Sequence, residues 1–197
     1  MSNLPPADDW KSNSLENISS LITDGAHYSP VPVDDGRLIA NVKDMGENKL
    51  DFESCTKISN SDFEILSRQN CSPCINDILL SKDGTIGKVL LYTDKTKIVV
   101  LSSIAIIKLA KEVEPDYVKH VLRSFIFSQQ LYSLQSGSAL KRIVLADIRK
   151  LNVPHPELSQ QKKIAKILTT VDNLIEQTQA LIDKYTAIKQ GMMADLF

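Results

Sequence analysis

The feature of this sequence that most restricts its fold is a heptad repeat near the C-terminal end. From about Ser159 onward, large apolar side chains recur at alternating spacings of three and four residues. The stripe consists of Ile164, Ile167, Leu168, Val171, Leu174, Ile175, Leu181, Ile182, Tyr185, Ile188, Met192 and Leu196, with Thr178 as the polar residue inside it. This period is typical of an α-helix that packs lengthwise against other helices. At 1.5 Å per residue, the pattern predicts a helix on the order of 50 Å long.

A helix of this length cannot lie wholly on a domain formed by the roughly 155 preceding residues. The stripe promotes association in water, because each large apolar side chain contributes roughly 1.5–3 kcal/mol when it is fully buried. We therefore expect a second chain to cover the stripe. The stripe is wider than a two-position seam, so more than one helix can pack on it. The alternative is that the helix folds back and joins the core of its own domain.

The residues before this helix carry the pattern of a mixed, β-rich domain. From Ile75 to Ala110, short apolar runs alternate with polar turns, and Asp83-Gly84 between two such runs is typical of a β-hairpin. Apolar residues at helical spacing predict a helix from Glu114 to about Leu134. Pro154 and Pro156 mark the end of the domain.

The first third of the chain gives three further local predictions. Ser61 and Glu64 have the spacing of a capping box, so a short helix is predicted to begin at Ser61. The stretch from Thr23 to Gly36 is dense in Gly, Pro and Asp and predicts a long exposed loop, and Arg37 to Val42 suggests a strand. The expected fold class is α+β, with a β-rich mixed globular domain over residues 1–156 and a long C-terminal coiled-coil helix over residues 157–197.

The net charge of the chain is −1, which argues against a protein that holds nucleic acid by electrostatics alone. The average conceals a gradient along the sequence. Residues 1–64 carry about seven more acids than bases, and residues 65–197 carry about six more bases than acids. A negatively charged partner would therefore prefer the second part.

The sequence shows no motif for catalysis. No glycine-rich cofactor fingerprint follows a strand, and the Asn-Pro-Pro-aromatic tetrapeptide of adenine methyltransferases does not occur. Cys71 and Cys74 have metal or redox spacing, but the histidines and Cys55 supply no second pair for a four-ligand zinc site. We expect a chain without catalytic residues, cofactor or metal.

The sequence also indicates in which cellular compartment the protein is expected. No charged-then-apolar leader opens it, and its most apolar run, residues 98–110, is too short to span a bilayer. Three cysteines are too few for a disulfide framework, which agrees with a reducing environment. We expect a cytoplasmic protein that does not enter a membrane.

Several stretches resemble the DNA specificity subunits of type I restriction-modification systems. They are DILLSKDGTIGKV (77–89), SGSALKRIVLADIRKLNVPHPEL (136–158), QQKKIAKILTTVDNLI (160–175), IKQGMMADLF (188–197) and, near the start, the loop TDGAHYSP (23–30). The resemblance implies a target-recognition domain, which reads one half of a bipartite site in double-stranded DNA, followed by a helical spacer. A full-length member has two such domains and two such helices paired antiparallel. This sequence has one of each and resembles half a specificity subunit.

The resemblance also implies the partners of the chain. Two copies that pair their heptad helices antiparallel would form a homodimer with two-fold symmetry, and the predicted target is a palindrome with an unread spacer. The helices would also dock a methyltransferase subunit, which binds S-adenosylmethionine and methylates adenine. A restriction subunit that uses ATP can join such an assembly. No cofactor is expected on this chain itself.

The candidate DNA-binding residues lie in three polar segments. They are His27, Tyr28, Lys82, Lys88, Ser136, Ser138, Lys141 and Arg142. Side chains in a polar loop, such as His27 and Tyr28, can reach base edges without disturbing a core, although the loop can equally be a solvated one. Hydroxyls and cations in the third segment suit phosphate contacts, and Arg142 can also make a bidentate contact to guanine. The glycines of the 82–88 turn are explained by hairpin geometry, which leaves its two lysines as the candidates.

Two other functions remain open from the sequence. The first is a coiled-coil adaptor whose globular domain binds another protein and never contacts DNA, which the acidic first third favours slightly. The second is a stand-alone enzyme, against which the missing motifs argue. A DNA-binding assay with and without the methyltransferase, at more than one salt concentration, separates the adaptor from the DNA reader.

Overall fold

The central element of the fold is a four-stranded antiparallel sheet with apolar side chains on both faces. The computed structural model describes residues 10–135 and 142–196. The strands of this sheet are β2 (Ser19–Asp24), β5 (Ile78–Ser81), β6 (Val89–Leu91) and β8 (Ile104–Leu109), and they lie in the order β2-β8-β5-β6. Because successive side chains point to opposite faces, Ile78 and Leu80 enter one core while Leu79 enters another. The β-rich sequence pattern is thereby explained.

A second, three-stranded sheet packs on the face of the first sheet that carries Leu79. Its strands are β3 (Pro32–Ala40), β4 (Thr56–Ile58) and β7 (Ile98–Val100), in the order β4-β3-β7, with β3 antiparallel to β4 and parallel to β7. Helix α1 (Asn60–Arg68) covers the outer face of this sheet, where Leu66 and Val99 are fully buried in one cluster. The domain therefore has stacked layers around more than one core.

Helices cover the opposite face of the four-stranded sheet. They are α2 (Pro115–Leu122), α3 (Phe125–Gln135) and α4 (Leu145–Lys150), and a small sheet of β1 (Lys11–Ser14) and β9 (Asn152–His155) lies beside them. Val118, Phe127 and Ile148 are fully buried in the core that these helices share with the sheet. The prediction of an α+β fold with a long C-terminal helix is confirmed.

Three local predictions from the sequence are corrected by the structure. Helix α1 begins at Asn60, because the Ser59 hydroxyl accepts the backbone N–H of Asp62 at 3.1 Å; Ser61 is not its cap. The helix predicted from Glu114 to Leu134 is interrupted at Arg123 and Ser124. The predicted loop from Thr23 to Gly36 is shorter, since β2 extends to Asp24 and β3 begins at Pro32.

Long-range contacts explain why α2 and α3 are separate helices. The guanidinium of Arg123 donates to the carbonyl oxygens of Val89 and Glu47, at 2.8 and 2.6 Å. The Ser124 hydroxyl then accepts the N–H of Phe127 at 3.3 Å and caps the next helix. The Arg123 contacts join residues distant in the sequence, so helical periodicity alone does not reveal the interruption.

The C-terminal helix α5 (Leu158–Leu196) packs on its own domain only at its beginning. Gln161 and Ala165 are buried, whereas the side chains from Thr170 onward are exposed apart from a partly covered Asp172. The Gln161 amide accepts the N–H of Glu114 at 3.0 Å and donates to the carbonyl of Pro156 at 2.8 Å. Gln161 therefore satisfies the N–H of the first residue before α2, a helix that has no side-chain cap of its own. The alternative that the whole helix joins the core is contradicted.

His120 completes this junction and gives it a pH dependence. Its Nε2 lies 3.0 Å from the Thr169 hydroxyl, and its Nδ1 lies 3.8 Å from an oxygen of Asp172. Burial, together with the charge of Lys119, lowers the pKa of His120 below its ordinary value, although Asp172 opposes the shift. The neutral imidazole is therefore the form that the fold favours.

We expect the protein to lose stability as the pH falls below about 6.5, because the unfolded chain then binds a proton at His120 more readily than the folded chain does. The contribution is fully present above this value and is lost as the pH falls towards the lower folded-state pKa. Urea unfolding of the parent and of His120→Gln, from about pH 8 to about pH 5.5, measures the effect. Equal pH dependence of the two proteins would contradict the assignment.

Candidate nucleic-acid interface

Two connecting segments meet at one end of the four-stranded sheet, where β2 and β5 finish and β8 begins. Strands β2 and β5 both pair antiparallel with β8, so Asp24 lies opposite Ala105 and Ser81 lies opposite Ile104. The ends of β2 and β5 therefore flank the start of β8. This arrangement places the 25–31 loop and the 82–88 turn side by side. We call this surface the loop edge.

Asp24 links the two segments through both oxygens of its carboxylate. One oxygen lies 3.1 Å from Nε2 of His27, and the other lies 3.1 Å from Nζ of Lys82. The Asp24 side chain is 13% exposed and the Lys82 side chain is 2% exposed. A buried lysine ammonium is tolerated only with a charged partner and further hydrogen bonds, so this ion pair fixes the relative position of the two segments.

The burial of Lys82 corrects one of the predicted DNA contacts. Its ammonium faces Asp24 inside the protein, and its backbone is held at both ends: the N–H donates to Ser103 and the carbonyl accepts from Ile143, each at 2.8 Å. A side chain in this position cannot reach a phosphate from the surface. Lys82 is therefore a residue that positions the loop edge.

Lys88 is also engaged within the protein, although less completely. It is half-buried, and its Nζ donates to the carbonyl of Met45 at 2.6 Å. The turn before it requires glycine at position 87, which has a φ of +90°, a conformation that L side chains rarely adopt. One of the three ammonium donors is thus used internally, which leaves Lys88 a weaker candidate than an exposed lysine would be.

Arg142 joins the same edge from a distant part of the sequence. It forms an isolated antiparallel bridge with Asp83, and its Nε lies 4.0 Å from the Asp83 carboxylate. Both side chains are about half exposed, so Asp83 holds the guanidinium only loosely. The predicted residues Ser136, Ser138 and Lys141 lie outside the described residues.

His27 and Tyr28 project from the 25–31 loop into solvent. The side chain of His27 is 68% exposed, and Tyr28 is 47% exposed. The base of the loop lies directly against the backbone of Val100. Only glycine fits at position 25, because a Cβ there would lie 2.0 Å from the carbonyl oxygen of Val100. The loop therefore presents two exposed side chains on an anchored backbone.

Asp24 is the site residue that sequence reasoning missed. It lies within TDGAHYSP, the segment singled out for His27 and Tyr28, but an acid is not an expected contact to DNA. Its role depends on Lys82, which is 58 positions away and pairs with it only through the sheet. A buried lysine could not have been recognised without that partner.

The helix residues that were predicted to form an interface are exposed in the structure. From Ile167 to Met192 the ten predicted side chains are between 40% and 64% exposed, and Met193 adds another at 51%. Ile164 differs, because it is half-buried and packs against the domain core. From Ile167 onward, past the part of α5 that packs on α2, the stripe is thus an apolar surface that the described residues leave uncovered.

Among residues 10–135 and 142–196, no three His, Cys, Asp or Glu side chains converge as metal ligands would. Cys71 is buried and Cys74 is exposed, and burial raises the pKa of the Cys71 thiol.

In the same described residues, no helix has both the length and the apolar character needed to cross a membrane.

Known proteins are similar to this chain in sequence and in fold. Residues 39–185 match the family described as type I restriction modification DNA specificity domain. The MjaX specificity subunit of Methanocaldococcus jannaschii is 27% identical over 199 residues, which is 96% of this chain and 46% of that protein. The EcoBI specificity subunit of Escherichia coli is 22% identical over 96% of this chain and 41% of its own length. The chain thus spans about half the length of these relatives.

Solved structures agree with the fold. The crystal structure of the HsdS subunit from Thermoanaerobacter tengcongensis matches with a TM-score of 0.62 at 14% identity, over 89% of this chain and 40% of that one. A subunit from M. genitalium gives a TM-score of 0.60 at 16% identity, over 92% and 44%. At such identities the likeness concerns the fold alone. Because the family model matches residues 39–185, which is more than half of the chain, the chain belongs to the family of type I restriction modification DNA specificity domains.

Proposed function

We propose that the chain reads one half of a bipartite double-stranded DNA site within a type I restriction-modification assembly, and that it has no catalytic role. The observation that supports this most strongly is the loop edge, where segments distant in the sequence bring His27, Tyr28 and Arg142 to one exposed surface. These side chains carry hydrogen-bonding and cationic groups suited to base edges and phosphates. They stand on a backbone fixed by the buried Asp24–Lys82 pair.

The charge of the chain suggests that it works with a second DNA-binding protein. A net charge of −1 supplies little phosphate neutralisation, so most of the affinity would come from a methyltransferase subunit that binds S-adenosylmethionine and methylates adenine. A restriction subunit that uses ATP can complete the assembly. Sequence preference would then rest on the loop edge.

Helix α5 supplies the proposed link between two copies. Its exposed apolar stripe extends beyond the domain and favours a partner that covers it lengthwise. In an antiparallel pair, two copies would place their loop edges at opposite ends of the paired helices, related by a two-fold axis. The recognised DNA sequence would then be an inverted repeat, and the length of the paired helices would set the number of unread base pairs between its halves.

Mapping methylated adenines in a host with and without the gene tests this function. We expect a gapped inverted repeat that is modified only when the gene is present, and weaker modification with Arg142→Ala, because one guanine contact is worth roughly 1–3 kcal/mol. Glu112→Ala, an exposed residue, serves as the control. A one-sided motif would contradict self-pairing. Modification that never depends on the gene would instead favour the protein-binding adaptor.

A further inference from the structure

A groove of about 1150 Å³ separates the globular domain from the middle of α5. One wall is the 46–53 segment with the end of β6 and the residues after it, and the other wall is one face of the helix. The helix face comprises Asp172, Ile175, Glu176 and Gln179. These residues follow Thr169, where α5 makes its last described hydrogen bond to the domain through His120. The groove thus begins where the helix leaves the domain.

The groove offers apolar surface to an occupant. Ile175 on the helix is 63% exposed, while Phe52 and Leu91 on the domain side are half-buried. Ile175 lies at the edge of the apolar stripe, on the side towards Asp172 and Gln179, which are three residues before it and four after it. A segment lying in the groove would cover this edge and leave the opposite side of the stripe free.

The rim of the groove is strongly acidic. Its acidic residues are Glu47, Asp51, Glu53, Asp94, Asp172 and Glu176, whereas its basic residues are Lys49 and Arg123. The guanidinium of Arg123 is already directed at backbone carbonyls of the protein. The resulting excess of negative charge repels the phosphates of a nucleic acid, so the occupant is a protein segment with positive charge.

A second copy of this chain does not match that charge. The exposed part of α5, residues 167–196, contains two lysines against three aspartates and one glutamate, so a second helix of this kind as a whole brings no net positive charge to the groove. The groove and the seam between copies therefore call for different occupants.

We propose that the groove binds a basic amphipathic segment of a partner protein. Its apolar side chains would contact Phe52, Leu91 and Ile175, and its lysines or arginines would pair with the acidic rim. The inference deepens the proposed function by separating the surface that docks the partner subunit from the surface that joins two copies. It rests on that function only for the identity of the partner, a methyltransferase subunit.

Charge reversal on both walls tests the groove. The variant is Glu53→Lys with Glu176→Lys, and the matched control is Asp34→Lys with Asp35→Lys, which changes the net charge equally at exposed positions outside the groove. Calorimetry without DNA uses two probes: the purified methyltransferase subunit, and a synthetic amphipathic helix of leucine and lysine. We expect the groove variant to bind both at least about tenfold more weakly than the control, with a smaller difference at high salt.

The possible outcomes separate the groove from the proposed function. Equal binding of both probes by the groove variant and the control overturns the inference, as does absence of peptide binding by the parent protein. Loss of peptide binding only in the groove variant, with no methyltransferase binding to any protein, supports the groove and refutes the partner. Methyltransferase binding that depends on Leu174 and Leu181 but survives the groove variant overturns the groove inference and leaves the proposed function intact.

Discussion

Asp24→Ala is expected to lower the free energy of unfolding by about 3–5 kcal/mol, the cost of leaving a buried charge without its partner. Lys82 is 2% exposed, and Asp24 is the carboxylate that faces its ammonium at 3.1 Å. The alanine variant either keeps an unpaired charge inside the protein or forces the lysine to lose its proton. Urea unfolding followed by circular dichroism measures the change.

Two further variants isolate the ion pair. Lys82→Met removes the buried charge and keeps the volume, so the double variant with Asp24→Ala should recover part of the loss. His27→Ala should cost no more than about 1 kcal/mol, because His27 is mostly exposed. A loss below about 1 kcal/mol for Asp24→Ala alone would show that the pair does not hold the loop edge.

The second large effect is expected on the association of two copies. Leu174→Glu with Leu181→Glu places charges one heptad apart in the middle of the exposed stripe. Two copies would bury four such leucines at roughly 1.5–3 kcal/mol each, so the dissociation constant of the dimer should rise by at least about a thousandfold. Sedimentation equilibrium over a wide concentration range gives the dissociation constant.

The control for this variant is Ala180→Glu with Ala187→Glu. These two residues are also one heptad apart and exposed, but they lie on the face of α5 away from the stripe. The control should dimerise as the parent does. A parent protein that stays monomeric at high concentration would refute self-pairing, and equal dissociation of both variants would show that the stripe is not the seam.

The parts of the fold that were predictable from the sequence rest on local repetition. The heptad spacing predicted α5 to within a residue at its start, and short apolar runs between polar turns predicted the strands from Ile78 to Leu109. The heptad spacing marks one apolar face of a helix, whereas the continuous runs mark strands that are buried on both faces. By contrast, the interruption at Arg123 depends on carbonyl groups of Val89 and Glu47, and no local pattern encodes such contacts.

The candidate site was predictable in its segments more than in its residues. The loop with His27 and the turn with Lys82 were recognised from their polar composition, and the sheet brings them together. Composition could not distinguish the exposed Arg142 from the buried Lys82, since both are cations in polar surroundings of the sequence. Burial is decided by partners from other strands, which here means Asp24.

The docking of Gln161 against Glu114 and Pro156 fixes how far the domain is rotated about the helix axis. Inserting one residue into α5 beyond this point would advance the far end by about 1.5 Å and also turn it by about 100°. If two domains are held at a fixed rotation about the paired helices, a single inserted residue would turn one domain out of alignment with the DNA groove. Lengthening by about seven residues, which is close to two whole helical turns, would nearly keep the phase and alter mainly the span.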